Sequence, residues 1–152
     1  MRIAIGADKI GAELKDLVCQ RLLEWGYEVE DYTPPPESTW DYPEVAEAVA
    51  LSIAAGKHPR GILICGTGIG MAIVANKVPG VRAALCHDVY SAERARLSND
   101  AQILTMGARV IGPELASTIV RRWLECDFEG EKSRSFSKVG KMIQVDQKYR
   151  HA

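Results

Sequence analysis

Residues 61–77, GILICGTGIGMAIVANK, decide how the rest of the chain is arranged. Ile62–Ile64 is a short, wholly apolar run, which is typical of a parallel strand buried on both faces. Cys65–Gly70 follows as a loop with glycine at every second position, and an apolar segment with helical spacing begins at Met71. Unpaired N–H groups and the helix dipole converge at such a junction, so it predicts an anion site. Cys65 lies at its edge, where a thiolate is favoured.

The glycine spacing does not fit two common nucleotide-binding loops. The loop lacks the G-x-G-x-x-G order of dinucleotide-binding folds, and no Lys-Ser or Lys-Thr pair follows Gly70 as in a Walker loop. A nicotinamide-dependent oxidoreductase is therefore set aside, although Asp31 lies at the end of the second predicted strand. The loop alone leaves one alternative open, a tight strand-to-helix turn that merely buries Cys65.

The 152-residue chain has the composition of one globular domain. It is 47% hydrophobic and 26% charged, and its formal net charge of −1 argues against nucleic-acid binding, which usually needs a basic face. No apolar run approaches the length of a membrane span, and the chain begins directly with a strand pattern rather than a signal peptide. We therefore expect a single domain, residues 1–152, in the cytoplasm and without membrane contact.

The four cysteines are widely spaced and match no zinc or disulfide pattern. Cys19, Cys86 and Cys126 are predicted to be small buried hydrophobic residues, because each lies on or next to a predicted helix or strand. Cys65 has no C-x-x-C partner, which argues against thiol–disulfide exchange. It is the one cysteine in a chemically suggestive position.

Predicted strands and helices alternate along the chain, which predicts a parallel sheet with helices on both faces. We expect strands at 2–6, 27–32, 62–64, 81–86 and 103–106, and helices at 12–25, 41–55, 71–75, 91–97 and 112–126. Ser91 is the expected N-cap of the fourth helix. Such sheets bind ligands beyond the carboxyl ends of their strands. The residues expected together at that edge are Asp8-Lys9, Cys65–Gly70, His87-Asp88, Ser98-Asn99 and Arg109.

Residues 127–152 form a polar and basic tail that includes Arg134 and Lys138. A weak apolar stripe, with Val139 and Ile143 among its members, runs through it. Such a tail either frays into solvent or lies across a partner subunit. In isolation its basic residues favour a solvated face.

The chain resembles the ribose-5-phosphate isomerase B and galactose-6-phosphate isomerase family over nearly its whole length. The resemblance rests on these segments, in the family's order: GADKIGAELK, DYP at 41–43, CGTGIGMAIVANKVPGVRAAL, YSAERARLSNDAQILTMGARVIG and the basic tail. It implies a Rossmann-like three-layer α/β/α sandwich with a parallel sheet and a C-terminal tail that reaches a partner subunit. It also implies homodimers or homotetramers with shared active sites, no metal and no cofactor.

The resemblance implies an aldose–ketose isomerase that moves a proton between adjacent carbons of a sugar phosphate through an enediolate. Such an enzyme needs a base, and donors placed where negative charge develops. Cys65 matches the family's base, and Thr67 matches a hydroxyl that relays protons between the two oxygens. Some family members have a glutamate base at position 71, and methionine here favours the cysteine version. The matching anion hole consists of the backbone amides of Gly66, Gly68, Ile69, Gly70 and Met71.

Other matching positions are implied to bind the sugar and its phosphate. Asp8 and Asn99 match residues that contact the sugar. Arg109 matches a phosphate-binding arginine, and bidentate binding of phosphate suits arginine better than lysine. Arg134 and Lys138 match the tail's phosphate-binding positions after a small insertion in the alignment.

Two positions depart from the family pattern. Lys9 stands where the family commonly has histidine, so a charge that can bind phosphate is kept. Ser98 stands where the ribose-phosphate enzymes have the histidine that opens the furanose ring, and serine is a poor acid or base near neutrality. His87 is nearby in sequence and is the candidate to replace it.

These departures lead to the hypothesis of a substrate that needs no ring opening. A four-carbon 4-phosphate cannot close a furanose ring through its phosphorylated oxygen, and the SNDAQILTMGARVIG block also resembles tetrulose-phosphate isomerases. The favoured pair is D-erythrulose 4-phosphate and D-erythrose 4-phosphate, and the alternative pair is ribose 5-phosphate and ribulose 5-phosphate. In another class, a non-catalytic phosphosugar-binding module would keep the glycine loop but would not need Cys65 and Thr67.

Overall fold

The structure of the protein, a computed structural model, describes residues 1–150, so the last two residues of the predicted tail lie outside the described part. Strands alternate with helices in the order β1 Arg2–Ala7, α1 Ala12–Glu24, β2 Glu28–Asp31, α2 Tyr42–Ala54, β3 Arg60–Cys65, α3 Ile69–Ala75, β4 Ala83–Leu85, α4 Val89–Leu97, β5 Ile103–Gly107 and α5 Pro113–Glu125. A short 3-10 turn, Gly130–Lys132, then leads into α6, Phe136–Lys148.

The strands form one parallel sheet in the order β2-β1-β3-β5-β4. β3 lies at its centre, where Ile62 is paired with Ile5 of β1 and with Leu104 of β5. All six residues of β3 are buried, as expected for a central strand covered on both faces. The predicted α/β class and parallel sheet are confirmed by this topology.

Helices cover both faces of the sheet and bury two apolar cores. α1, α4 and α5 pack on one face, where Trp123, Leu22 and Ile62 are fully buried. α2 and α3 pack on the other face, around Leu63 and Met71. Because neighbouring residues of a strand point to opposite faces, Ile62 and Leu63 enter different cores. The result is the predicted three-layer sandwich.

Local hydrogen bonds determine where two of the helices begin. At the start of α2 the Glu44 carboxylate accepts the Asp41 N–H at 3.0 Å, and Pro43 lies in the first turn as predicted. The predicted N-cap of α4 is wrong. Its N-cap is Asp88, not Ser91, because the Asp88 carboxylate accepts the Ser91 N–H at 2.6 Å, and the helix therefore starts earlier.

The tail folds into α6 and is tied to the domain near β4. The Asp146 carboxylate accepts the Gly80 N–H at 2.8 Å, and Ser133 Oγ donates to the Leu97 carbonyl at 3.5 Å. The tail is thus helical rather than frayed, while its contact with a partner subunit stays a prediction. Large apolar side chains are exposed on the tail at Phe136, Met142, Ile143, Val145 and Tyr149.

None of the helices between residues 1 and 150 is long and apolar enough to cross a membrane.

Candidate active site

The carboxyl edge of the sheet has a switch point between β1 and β3. The chain leaves β1 through α1 on one face and leaves β3 through α3 on the other, which opens a crevice between the two loops. Asp8 follows β1, and its N–H donates to the Ile64 carbonyl at 3.4 Å while its carboxylate accepts the Gly11 N–H at 2.9 Å. Lys9 beside it is exposed. Asp8 and Lys9 therefore lie next to the Cys65 loop.

Cys65 is the last residue of β3, and only 6% of its surface is exposed. The N–H of Gly68 donates to the Cys65 Sγ at 3.1 Å. Gly68 allows this turn because its φ is +77°, and a Cβ there would lie 2.7 Å from the Met106 carbonyl carbon. A donor aimed at sulfur stabilises negative charge on it, so the loop suits Cys65 to accept a proton.

Thr67 is exposed at the tip of the same loop, and its Oγ1 accepts the Ile69 N–H at 3.2 Å. Two amides that the sequence assigned to the anion hole, those of Gly68 and Ile69, thus already have acceptors within the loop. These two are less suited to bind an oxyanion. Counting partners among residues 1–150, three N–H groups assigned to the hole have no acceptor, those of Gly66, Gly70 and Met71.

Two glycines let the loop pack closely against its neighbours. A Cβ on Gly107 would lie 2.6 Å from the Thr67 Cα, and a Cβ on Gly70 would collide with the Tyr42 ring. Tyr42, the first residue of α2, therefore forms a wall of the site. Sequence reasoning missed this role, although the position of Tyr42 before Pro43 at a helix start was an available signal.

His87 follows β4 and is bound to the end of β5, since its Nε2 accepts the Gly107 N–H at 2.9 Å. A ring nitrogen that accepts a hydrogen bond carries no proton, so in this arrangement the imidazole is the neutral form with its proton on Nδ1. His87 lies at the carboxyl edge, as predicted. With a backbone partner on Nε2, it can exchange a proton with a substrate only through Nδ1.

Arg109 is joined to the glycine loop through its backbone, because its N–H donates to the Gly66 carbonyl at 3.0 Å. Its Cδ lies 3.8 Å from the position that a Cβ on Gly66 would take. The residue is exposed. Its guanidinium therefore places a cation beside the loop that holds Cys65.

Ser98 and Asn99 do not lie at the carboxyl edge, and the prediction of that position is wrong. They follow α4, which returns from the carboxyl end of β4 to the amino end of β5. Arg82 stands just before β4, and its Nε donates to the Asn99 carbonyl at 3.2 Å, which fixes this loop at the amino edge. In a β-α-β unit the loop after the strand reaches the carboxyl edge, whereas this loop follows the helix.

The tail residues Arg134 and Lys138 are exposed on the amino side of the sheet. The contact between Ser133 and Leu97 brings the start of the tail to the end of α4. The predicted site residues of one chain therefore form two groups at opposite edges. The carboxyl edge holds Asp8, Lys9, Cys65–Met71, His87 and Arg109, and the amino edge holds Ser98, Asn99, Arg134 and Lys138.

Arginine side chains hold the loop after α4. Asp100 has a φ of +48°, which is uncommon for a residue other than glycine, and its carboxylate binds Arg82 at 2.9 Å and Arg96 at 3.1 Å. Arg94 donates to the Ser98 Oγ from two nitrogens, of which Nε lies at 2.9 Å. Sequence reasoning missed these contacts. The available signal was the four-residue spacing of Arg94 and Ser98, and of Arg96 and Asp100, near the end of one helix.

The cysteines other than Cys65 have structural surroundings. Burial raises the pKa of the Cys19 and Cys86 thiols to about 11, and it also raises the pKa of Cys126. A thiol with a raised pKa holds little thiolate near neutral pH. These cysteines also take no part in a metal site, since no cluster of His, Cys, Asp or Glu in residues 1–150 could hold an ion.

The sequence model of the Ribose/Galactose Isomerase family matches residues 3–142. The chain belongs to this family.

Two relatives in the ribose/galactose isomerase family carry different substrates in their names. The chain is 54% identical over 150 residues to a ribose-5-P isomerase B of Listeria innocua, covering 99% of this chain and 100% of the relative. It is 51% identical over 152 residues to a D-erythrulose-4-phosphate isomerase of Pectobacterium atrosepticum, covering 99% of each.

The ribose/galactose isomerase fold of this chain is similar to solved structures. A ribose-5-phosphate isomerase B of Clostridium thermocellum superposes with a TM-score of 0.92 at 44% identity, covering 99% of this chain and 100% of that one. A type B ribose 5-phosphate isomerase of Trypanosoma brucei superposes with a TM-score of 0.88 at 40% identity, covering 95% of this chain and 97% of that one. The predicted family and fold are therefore confirmed, and the names of the relatives agree with the predicted enzyme class.

Proposed function

We propose that this chain is a cofactor-independent aldose–ketose isomerase of a phosphorylated sugar. The observation that carries the proposal is the loop Cys65–Met71, where a thiol with an N–H aimed at its sulfur adjoins a hydroxyl and unpaired amides. Moving a proton between adjacent carbons needs a base, a relay and oxyanion donors in one place. The reaction changes no net oxidation state, so it needs no electron-accepting cofactor.

Each part of the loop has a step in the proposed mechanism. Cys65 takes the proton from C2 of the open-chain aldose, and the electron pair moves into an enediolate. The unpaired amides of Gly70 and Met71, with that of Gly66 beside them, bind its negative oxygen. Thr67 passes the hydroxyl proton from O2 to O1. Cys65 then returns its proton to C1, which yields the ketose with no atom gained or lost.

The second half of the site comes from another copy of the chain. Within one chain Asn99 and Arg134 lie at the amino edge, opposite Cys65. A substrate at Cys65 reaches them only where a neighbouring subunit presents its amino edge. The exposed apolar side chains of α6 support such an interface, because exposed apolar patches mark contact surfaces. The assembly is a homodimer, or a tetramer built from dimers, with shared sites.

The proposed substrate pair is D-erythrulose 4-phosphate and D-erythrose 4-phosphate, used in the cytoplasm. Ser98 has no basic nitrogen, and the Gly107 N–H occupies the Nε2 of His87, so a furanose ring could be opened only through the Nδ1 of His87. A four-carbon 4-phosphate needs no ring opening, because its terminal oxygen carries the phosphate. The 51% identity to the Pectobacterium D-erythrulose-4-phosphate isomerase supports the same pair.

The relatives that are named ribose-5-phosphate isomerases favour a second substrate pair, ribose 5-phosphate and ribulose 5-phosphate. With this pair, His87 has to open the ring through its Nδ1 proton. A function of another class is a non-catalytic phosphosugar-binding module. Such a module keeps the phosphate-binding cations and makes no use of the Cys65 thiol.

Proton NMR in D2O separates these functions. The wild-type chain and Cys65→Ala are each offered D-erythrulose 4-phosphate and ribose 5-phosphate, with allose 6-phosphate and galactose 6-phosphate as further sugars. We expect the wild type to interconvert the four-carbon pair with exchange of a carbon-bound proton, and Cys65→Ala to do so about 10³-fold more slowly. Preferred turnover of ribose 5-phosphate would move the substrate to the second pair. Exchange that is absent or independent of Cys65 would contradict the isomerase.

A further inference from the structure

Arg94 lies one helical turn before Ser98 at the end of α4, and the two side chains are joined. The Arg94 Nε donates to the Ser98 Oγ at 2.9 Å, and Nη2 donates to the same oxygen. The Ser98 N–H also donates to the Arg94 carbonyl at 2.8 Å. The guanidinium is thereby held in one place at the amino edge of the sheet.

The Arg94 guanidinium keeps unused charge and unused donors. A guanidinium has five N–H donors, and the Ser98 hydroxyl takes two of them. Arg96, two residues further along α4, is paired with the carboxylate of Asp100, whereas Arg94 has no carboxylate partner in the described part of the chain. Arg94 is also half-buried. A partly buried cation without a counter-ion carries a desolvation cost that a bound anion would remove.

The Ser98 hydroxyl is left as a donor. A hydroxyl has two lone pairs and one proton, and both lone pairs of Ser98 accept N–H groups of Arg94. Its own proton meets no acceptor between residues 1 and 150. Arg94 and Ser98 together present several N–H groups and one O–H group, and neither presents a group that takes up a proton.

Phosphate is the chemistry that fits this pair. Its oxygens are negative and accept hydrogen bonds, and the planar fork of arginine binds two of them at once. The tail segment that carries Arg134 adjoins the same end of α4, where Ser133 meets Leu97. We propose that Arg94 is a phosphate-binding residue of this site, and that Ser98 donates its proton to an adjoining oxygen of the same substrate.

The pair also bears on substrate choice, and this part rests on the proposed isomerase function. Ring opening requires a group that exchanges a proton with the ring, and arginine keeps its charge throughout the physiological pH range. Arg94 and Ser98 therefore bind a phosphosugar without assisting ring opening. The arrangement favours substrates that are open-chain when they arrive.

Three variants test the assignment, Arg94→Leu, Arg94→Lys and the matched control Arg121→Leu. Arg121 is an exposed arginine of α5 that pairs with Glu125 on the same helix. The measurements are the Kd of inorganic phosphate by isothermal titration, and KM and kcat for D-erythrulose 4-phosphate. We expect Arg94→Leu to raise Kd and KM by about 30-fold with kcat little changed. We expect about a fivefold rise for Arg94→Lys, which keeps the charge but loses the fork, and wild-type values for Arg121→Leu.

The melting temperature of each variant shows whether it is folded, and Arg94→Lys carries the test if leucine is not tolerated. Wild-type phosphate binding in the folded Arg94 variants would overturn the assignment. A fall in kcat with unchanged Kd and KM would also overturn it, because that pattern indicates a merely structural residue. Phosphate binding that depends on Arg94, in a protein that isomerises no sugar, would support the assignment and contradict the isomerase function.

Discussion

Cys65 differs from the other cysteines in what surrounds its sulfur. The Gly68 N–H donates to the Cys65 Sγ, so a negative charge there has a partner. Between residues 1 and 150 no such donor meets the sulfur of Cys19 or Cys86, and burial raises the pKa of each thiol to about 11. A thiol with a raised pKa holds its proton more tightly, so less of it is thiolate at a given pH. The surroundings of Cys65 therefore favour reaction, and those of the other two oppose it.

We predict that iodoacetamide at mildly alkaline pH alkylates Cys65 at least about tenfold faster than Cys19 or Cys86. Peptide mass spectrometry after short exposures gives the order of modification, and Cys65→Ala is the control. Bound substrate should slow the reaction at Cys65 alone. Earlier modification of Cys19 or Cys86 would count against the role of the Gly68 hydrogen bond.

Gly68→Ala should lower the free energy of unfolding by about 1–3 kcal/mol. The φ of +77° is rarely adopted by alanine, and its Cβ would lie 2.7 Å from the Met106 carbonyl carbon. Gly140→Ala is the matched control, because a Cβ there meets no atom of the described residues within 4 Å and the helix interior favours alanine. Urea unfolding measures both variants. Equal stabilities would mean that the Cys65 loop does not need its left-handed glycine.

At the scale of single residues, the sequence predicted which residues share the loop but not the hydrogen bonds that they make. The glycine spacing predicted that Cys65 and Thr67 lie on one loop, and in the structure both accept N–H groups of that loop. The spacing predicted an anion site and the family resemblance assigned the amides of Gly68 and Ile69 to it, whereas these amides meet the Cys65 Sγ and the Thr67 Oγ1. Which acceptor an amide meets depends on side-chain rotamers, and a spacing pattern contains no rotamers.

At the scale of elements, the alternation of strands and helices was predictable because apolar periodicity is a local signal. The start of α4 was not predictable, because Asp88 and Ser91 are both good N-cap residues and only the folded backbone selects one of them. Ser98 and Asn99 were grouped with the carboxyl strand ends, although they follow a helix and precede β5. A residue that precedes a parallel strand lies at its amino end, so chain direction, rather than nearness in sequence, decides the edge.

Asp146 ties α6 to the turn before β4. Hydrogen bonds from the Arg150 guanidinium and from the Gly80 N–H hold the pKa of this carboxyl below its ordinary value. A carboxyl whose pKa is lower in the folded state stabilises the fold when the pH is above the pKa that the group has in the unfolded chain, about 3.9. This contribution is lost as the pH falls through the folded pKa.

Asp146→Asn should therefore lower the melting temperature at neutral pH, with the difference from the wild type shrinking as the pH falls below about 4. Thermal unfolding at a series of pH values measures this difference. The difference arises from the negative charge of the carboxylate, and protonation in acid removes that charge from the wild type as well. A difference that stays constant across the series would show that the charge of Asp146 does not hold α6.

At the scale of the whole molecule, each chain carries the two halves of the proposed site at opposite edges of its sheet, so the two halves of one chain belong to different sites. Cys65 ends β3 at the carboxyl edge, and Arg134 adjoins α4 at the amino edge. The residue pattern alone left the role of the tail open, because an apolar stripe does not identify the surface that covers it. The family resemblance predicted sharing between subunits. The separation of the two groups supports that prediction with an argument from this chain's own topology.

The most direct test of a shared isomerase site mixes two inactive variants. Cys65→Ala keeps the amino-edge cations, and the double variant Arg134→Ala with Lys138→Ala keeps the thiol. When the two are unfolded and refolded together, each mixed dimer contains one site with both halves intact. We predict that the mixture recovers about a quarter of the wild-type turnover of D-erythrulose 4-phosphate, since random pairing makes half of the dimers mixed. Turnover no higher than that of the separate variants, in a sample shown to contain mixed dimers, would contradict the shared site.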